Sequence, residues 1–419
     1  MKILHIAPYL TINSKPEFTR NKTGFGYMVY DIARSVGEVA QVEVWASDIR
    51  YKGFKQDGIK FLGVSYGKML FNLFHCVSIS VMISLLKKYK MPWGDALRLV
   101  YYWLLSGYVS AIIKCGEYDM VHIHGCGFFT EIWIQVCRCL NQKFIVTLHG
   151  LNSFSDTVHL TAAGKQYERD FLQLVAKGEI PITVISSGMK HIIEKTYGVE
   201  DCPNIKVVCN AFSFGGDLNN RKQDGIGGSI RELYNIPQGA KIQLYVGNIS
   251  VNKNQQQMVE AYALLPEHIR RNTWVLFCGR PSQDGSFETT VKESSFADHF
   301  VLCGSIPKES IADYYKEADG VALLSIAEGF GLSLIEGMHF GVPCAMFKDM
   351  DAFEDIYDPC AVVPIENRDN ASVASAIEKL LETSWDKAAI ESYSQKFDND
   401  TMARNYINVY HKLQQDELL

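Results

Sequence analysis

The sequence has no Cys-x-x-Cys pair, no internal repeat, no low-complexity tract and no large excess of either charge. Its eleven cysteines stand singly, Cys137 and Cys139 being the nearest two, a pattern that suits free thiols in a reducing cytosol. Acidic residues exceed basic ones by only 47 to 41, and the pI lies near 6.0, which argues against general nucleic-acid binding. A signal-peptide core is also missing: the apolar run Ile3–Ala7 stops at Pro8 and reads as a first buried strand. Met69–Leu86 spans eighteen residues without a charge, but Asn72, His75, Ser78, Ser80 and Ser84 make it too polar for hydrocarbon. It reads either as a buried domain helix or as a helix lying on an anionic membrane surface.

What is present is a globular composition, 47% hydrophobic and 21% charged over 419 residues, long enough for two packed domains. Charge is unevenly spread. From Asp48 to Lys114 there are ten basic and three acidic residues, a local +7 that leaves −13 for the rest. Short β-branched runs recur at Lys2–Ala7, Val42–Ala46, Phe61–Val64, Met120–His124, Phe144–Leu148, Ile182–Ile185 and Val207–Cys209. A second series follows at Ile242–Val246, Trp274–Cys278, Phe300–Cys303, Val321–Leu324, Cys344–Phe347 and Ala361–Ile365. Such runs separated by helical segments predict two α/β domains with doubly wound parallel sheets. Five glycines between Phe214 and Ser229 mark the connection, giving a first domain over 1–215, a linker over 216–230 and a second domain over 231–400. The helical spacing of Met402, Tyr406, Val409, Tyr410 and Leu413 assigns 401–419 to a C-terminal helix that packs back on a domain, the first being the candidate.

The richest stretch is Leu324-Ser-Ile-Ala-Glu328-Gly329-Phe330-Gly331-Leu332-Ser333-Leu-Ile-Glu336-Gly337. A strand ends, a glycine-rich turn follows and a helix starts near Leu332, an arrangement whose backbone N–H groups suit a phosphate. Glu328 and Glu336 on either side would hold hydroxyl groups, the layout of a sugar nucleotide.

Glu328-Gly-Phe-Gly-Leu-Ser-Leu-Ile-Glu336 closely resembles the E-x7-E signature of the retaining glycosyltransferases of family GT4, whose fold is GT-B: two Rossmann-like domains facing a central cleft. The resemblance runs through most of the chain. Leu244-Tyr-Val-Gly247-Asn248-Ile-Ser-Val-Asn-Lys253-Asn254 is similar to the strand and loop that hold the donor diphosphate, with Asn248 where many relatives have arginine. Phe144–Gly150 is similar to the strand ending in a His-Gly that faces the donor sugar, here His149. Gly24 and Gly26 stand at the family's glycine loop, and Val184–Met189 and Val207–Ala211 resemble stretches before the hinge, Ala211 replacing a glycine. Arg280 and Ile306 fall in loops that border the nucleotide base.

The resemblance implies a retaining, metal-independent sugar transfer from a nucleotide-sugar donor to a saccharide or lipid-linked saccharide acceptor in polysaccharide or glycolipid assembly, with no cofactor beyond that co-substrate. His149, Lys253 and Glu328 are the expected catalytic residues. Gly24, Gly26, Gly247, Asn248, Arg280, Ile306, Gly329, Phe330, Gly331, Leu332, Ser333 and Glu336 are the expected donor-binding residues. Lys253 would stabilise charge on the leaving diphosphate. No metal site is expected. Asp349-Met350-Asp351 matches the D-x-D of the unrelated GT-A fold but falls where the resemblance implies a plain loop, and His122, His124 and His149 lack a carboxylate or cysteine at ligand spacing. Residues Arg50 to Lys114, basic and aromatic, suggest a cytoplasmic protein resting on the inner membrane face. A non-catalytic nucleotide-sugar-binding subunit and a GT-B nucleotide-sugar epimerase are the alternatives.

Overall fold

The computed structural model describes residues 1–19, 23–63, 77–155, 160–212, 214, 229–308 and 310–415. The chain divides into two compact units, Met1–Asn210 with Asn399–Leu419, and Ala211–Asp398. Most of the glycine-rich linker, residues 216–228, lies outside the described residues, as do residues 69–76 of the uncharged run. The remainder of that run enters the helix Ile79–Tyr89.

In the first unit β1 (Lys2–Ala7), β2 (Gln41–Ala46), β3 (Phe54–Gln56), β4 (Ile59–Phe61), β5 (Met120–His124), β6 (Phe144–Leu148), β7 (Ile182–Val184) and β8 (Ile205–Val207) form one sheet in the order β3-β4-β2-β1-β5-β6-β7-β8. Every pairing is parallel except β3 with β4. The central strands are buried, which is why they read as unbroken apolar runs. Two details differ from the sequence reading. Phe61 ends a hairpin strand instead of beginning a run, because Asp57 and Gly58 (φ 48° and 75°) make a tight two-residue turn. The strand expected at Val207–Cys209 starts earlier, since Ile205 pairs with Ile182 and pairing lapses where β7 ends.

In the second unit β9 (Lys241–Val246), β10 (Thr273–Cys278), β11 (Phe300–Gly304), β12 (Gly320–Leu323), β13 (Cys344–Phe347) and β14 (Val362–Ile365) form an all-parallel sheet ordered β11-β10-β9-β12-β13-β14. Both sheets therefore have a point where the winding reverses, between β1 and β5 in the first and between β9 and β12 in the second. Ligands of open α/β sheets bind beyond the carboxyl ends of strands at such points.

The helix Asn399–Gln414 is part of the first unit. Its buried Tyr406 and Tyr410 pack on the sheet face that carries His122, 5.3 and 5.8 Å between ring centroids. Ser35 Oγ on the helix Gly24–Gly37 donates to Asn399 Oδ1 at 3.1 Å.

Candidate donor and sugar sites

At the reversal point of the second sheet, the loop after β9 meets the turn after β12. Lys253 Nζ donates to Glu328 Oε2 in an ion pair of two partly buried side chains. Backbone-directed contacts hold both loops. The Tyr245 hydroxyl accepts from the Leu324 N–H at 2.9 Å and donates to the Lys253 carbonyl. Asn252 Nδ2 donates to the Ala327 carbonyl at 2.9 Å, and its Oδ1 accepts from the Ala327 N–H at 3.1 Å. Ser325 Oγ donates to Glu328 Oε2 at 3.3 Å. The cation and the carboxylate are thus set by neighbours and not by their own flexible stems.

The neighbouring strand ends form a ladder. Gly247 N donates to Cys278 O and Gly279 N to Gly304 O, both at 2.8 Å, while Asn248 Oδ1 accepts from Arg280 N at 3.1 Å. Gly247, Asn248, Lys253, Arg280 and Glu328 therefore share one end of the sheet. Asn248 serves here as a brace for the β10 loop. Ile306 sits half-buried in the loop after β11. Gly329 is half-buried, Phe330 is 2% exposed against Phe397, and Gly331 precedes the helix Leu332–Met338, where Leu332 is half-buried and Ser333 buried. Glu336, in that helix, accepts from the Tyr315 hydroxyl at 2.9 Å. Burial, the Glu336 charge and this bond together hold the Tyr315 phenol protonated, so it remains a donor.

Tyr245 and Asn252 lie inside the quoted Leu244–Asn254 stretch but their bracing roles carry no sequence signal, Tyr315 lies outside every motif, and the D-x-D pair takes a role the motif does not name. Asp349 takes a bidentate pair from Arg368 at 2.8 Å each, and Arg368 also donates to the Ser325 carbonyl at 3.1 Å. The Asp351 carboxyl is pushed up to about 6 by burial, then by the Glu328 and Asp349 charges. The segment expected to be a plain loop is thus tied to the Glu328 turn.

At the reversal point of the first sheet lies a cavity of about 370 Å³ lined by Pro8 and Tyr9 after β1, Gly125, Cys126 and Phe129 after β5, His149, Gly150 and Asn152 after β6, and Phe25. Phe25 meets His149 edge to face at 4.9 Å. Burial lowers His149 to about 4, so near neutrality it is an uncharged hydrogen-bonding ring. Gly24 is exposed with open space around it. Gly26 is a packing requirement: a Cβ there would stand 2.3 Å from Thr11 Oγ1. Beneath the cavity, His122 Nδ1 meets the Tyr410 hydroxyl at 2.7 Å and its Nε2 meets Thr147 Oγ1 at 2.5 Å. Leaving either nitrogen unpaired in this interior would cost about 1–3 kcal/mol. Of the three histidines weighed as metal ligands, His149 gives way to His5: among the described residues, His5, His122 and His124 present ligand atoms within 4.8 Å of one another.

Residues 229–397 match the family described as Glycosyl transferases group 1. The chain is 24% identical over 186 residues to a D-inositol 3-phosphate glycosyltransferase of Xylanimonas cellulosilytica, covering 43% of this chain and 45% of that one. It is 23% identical over 325 residues to the N-acetyl-alpha-D-glucosaminyl L-malate synthase of Bacillus anthracis, covering 75% and 80%. A solved glycosyltransferase of Rickettsia africae superposes with a TM-score of 0.68 over 99% of each chain at 15% identity. The chain has the GT-B fold, and its second unit is similar to glycosyltransferases of the GT4 type. The family match covers the unit that holds Lys253, Glu328 and Glu336, and the structural likeness extends to the unit that holds His149. The chain spans less than half the length of the first of these curated relatives and four fifths of the second.

Proposed function

We propose that this chain is a GT4-type glycosyltransferase that moves a sugar from a nucleotide-sugar donor to a saccharide or lipid-linked saccharide acceptor with retention of anomeric configuration and without a metal. The observation that carries the reading is the Lys253–Glu328 pair at the reversal point of the second sheet. Lys253 supplies a cation for the charge that gathers on the departing diphosphate, and the amides from Gly329 to Ser333 add to it. Glu328 accepts from donor-sugar hydroxyls and Glu336 from the ribose. The departing diphosphate oxygen takes the acceptor's proton, so the protein's contribution is orientation and electrostatic stabilisation. His149, a neutral ring, offers a hydrogen-bonding group to a sugar in the cavity of the first unit. No cofactor is needed beyond the nucleotide sugar. Calorimetric titration with UDP, GDP and ADP and their common sugars tests the donor site. One nucleotide is expected to bind selectively and to weaken at least tenfold in Glu336→Ala; a folded wild type that binds none of them would favour a non-catalytic member of the fold.

The acceptor side carries a second part of the proposal, a cytoplasmic enzyme resting on an anionic membrane surface. Among the described residues one helix, Trp93–Gly116, is long and apolar enough to cross a membrane by length and composition, yet half of its most apolar stretch is buried in the unit. Its exposed Trp93, Leu97, Tyr101 and Leu104 recur at helical spacing, and exposed Ile79 and Ile83 lie on the preceding helix, which ends in exposed Lys87, Lys88 and Lys90. An apolar stripe beside lysines suits a helix lying in the interface of an anionic bilayer. In flotation, the full chain is expected to rise with vesicles containing anionic lipid and to be released by Trp93→Ser with Leu97→Ser. Recovery in the bottom fraction with both anionic and neutral vesicles would sink the surface-binding idea and leave the donor assignment standing.

A further inference from the structure

Three imidazoles of the first unit form an unbroken row. His5 lies within β1, His124 ends β5, and His149 follows β6. The parallel register sets His5 opposite His122 and His124 opposite Thr147, so alternate residues rise on one face of the sheet. His5 Nδ1 is 2.9 Å from His124 Nε2, and His124 Nδ1 is 3.3 Å from His149 Nε2. Burial lowers His5 to about 3 and His124 well below its ordinary value, as it lowers His149, so near neutrality each ring carries one N–H.

A neutral imidazole donates from one nitrogen and accepts at the other. In a row of three the tautomers are therefore coupled: every N–H points toward His149, or every N–H points toward His5. The two ends decide which. His5 Nε2 and His149 Nδ1 are both buried without a partner among the described residues. His5, however, is wholly enclosed, whereas His149 lines the cavity where a ligand can supply an acceptor. An orphaned buried N–H is the rarer and costlier defect, an unused acceptor the more tolerable one. The cheaper order leaves the lone pair at His5 and the N–H at His149.

We propose that His5 and His124 are positioning residues whose imidazole row holds His149 as the Nδ1–H tautomer, a hydrogen-bond donor for a sugar oxygen in the cavity of the first unit. A metal held by His5, His122 and His124 fits the geometry less well. Both nitrogens of His122 are engaged, and the His122 and His124 rings stack at 4.0 Å, so their in-plane lone pairs run side by side. The use of the donor rests on the proposed sugar transfer; the tautomer is a property of the free protein.

Nitrogen NMR of the full chain labelled with 15N-histidine reads it directly, with His149 assigned by the signal lost in His149→Gln. The wild type is expected to show a protonated Nδ1 and an unprotonated Nε2 at His149. His5→Phe keeps a ring but removes the terminal donor, and is expected to give a mixture of His149 tautomers. His5→Asn, whose amide NH2 stands near the Nδ1 position, is expected to restore one. A wild-type His149 protonated at Nε2 overturns the proposal, whether or not His5→Phe folds. So does a folded His5→Phe that keeps the wild-type tautomer. Failure of all nucleotides to bind would strike the transferase reading and leave this spectrum decisive for the row.

Discussion

Replacing Lys253 with alanine is expected to lower turnover by about 10²–10³-fold, the range for removing one preorganised group that stabilises transition-state charge, equivalent to about 2.7–4 kcal/mol. The loss has two parts. At the proposed donor site the cation for the diphosphate disappears, and Glu328, now without its Nζ partner, presents an uncompensated carboxylate to the same oxygens. The loop itself is expected to keep its shape, because Tyr245 and Ser250 hold residue 253 through its carbonyl and N–H, which alanine retains. Both side chains are partly exposed, so folding should lose no more than about 1 kcal/mol. Lys253→Arg keeps the charge but spreads it over a planar fork, and is expected to fall between the two. Steady-state transfer with the donor selected by calorimetry, beside thermal melting, checks the split. A drop of less than threefold in a variant that melts normally would remove Lys253 from the developing charge.

The turn and helix that carry Glu328 and Glu336 were legible because their signal is local. Glu328 and Glu336 lie within one turn and helix, and the strands that aim them are buried on both faces, hence unbroken apolar runs. What the sequence hides is whatever depends on register between strands far apart in the chain. His5 joins His124 across 119 residues, and Tyr410 reaches His122 across 288. No spacing rule connects such positions; only the order of strands in the sheet does. The roles of Tyr245, Asn252 and Tyr315 escape notice for a related reason: the first two brace loops and the third bonds Glu336 in its helix, each through a partner at least eight residues away. Asn248 illustrates the limit of resemblance: at a position where the resemblance implies arginine in many members, its Oδ1 accepts from the Arg280 N–H, a role set by the facing strand. The hairpin at Asp57-Gly58 was readable in principle, because that dipeptide between short strands is a strong turn signal.

Gly279→Ala is the second substitution expected to act strongly, and it does so without touching a ligand. A Cβ at this position would stand 2.0 Å from the Gly247 carbonyl oxygen, 2.5 Å from its carbon and 2.9 Å from Asn248 N. All three are backbone atoms, so no rotamer change relieves the clash. Room can be made only by parting the ends of β9 and β10, which breaks the bonds from Gly247 N to Cys278 O, Ile249 N to Arg280 O and Arg280 N to Asn248 Oδ1. The expected cost is about 2–3 kcal/mol of stability, the upper range for overpacking, seen as a lower melting temperature. Because Lys253 rides on the displaced loop, nucleotide affinity is expected to fall at least tenfold in the fraction that remains folded. Gly94→Ala serves as the control: its Cβ would meet nothing within 4 Å, and it stands in the first turn of the helix Trp93–Gly116, where alanine is the better helix former. That variant is expected to melt and bind as the wild type does. Equal melting and equal nucleotide binding in Gly279→Ala would mean that the strand-end ladder yields without moving Lys253, and the positioning of the cation would then rest on Tyr245 and Ser250 alone.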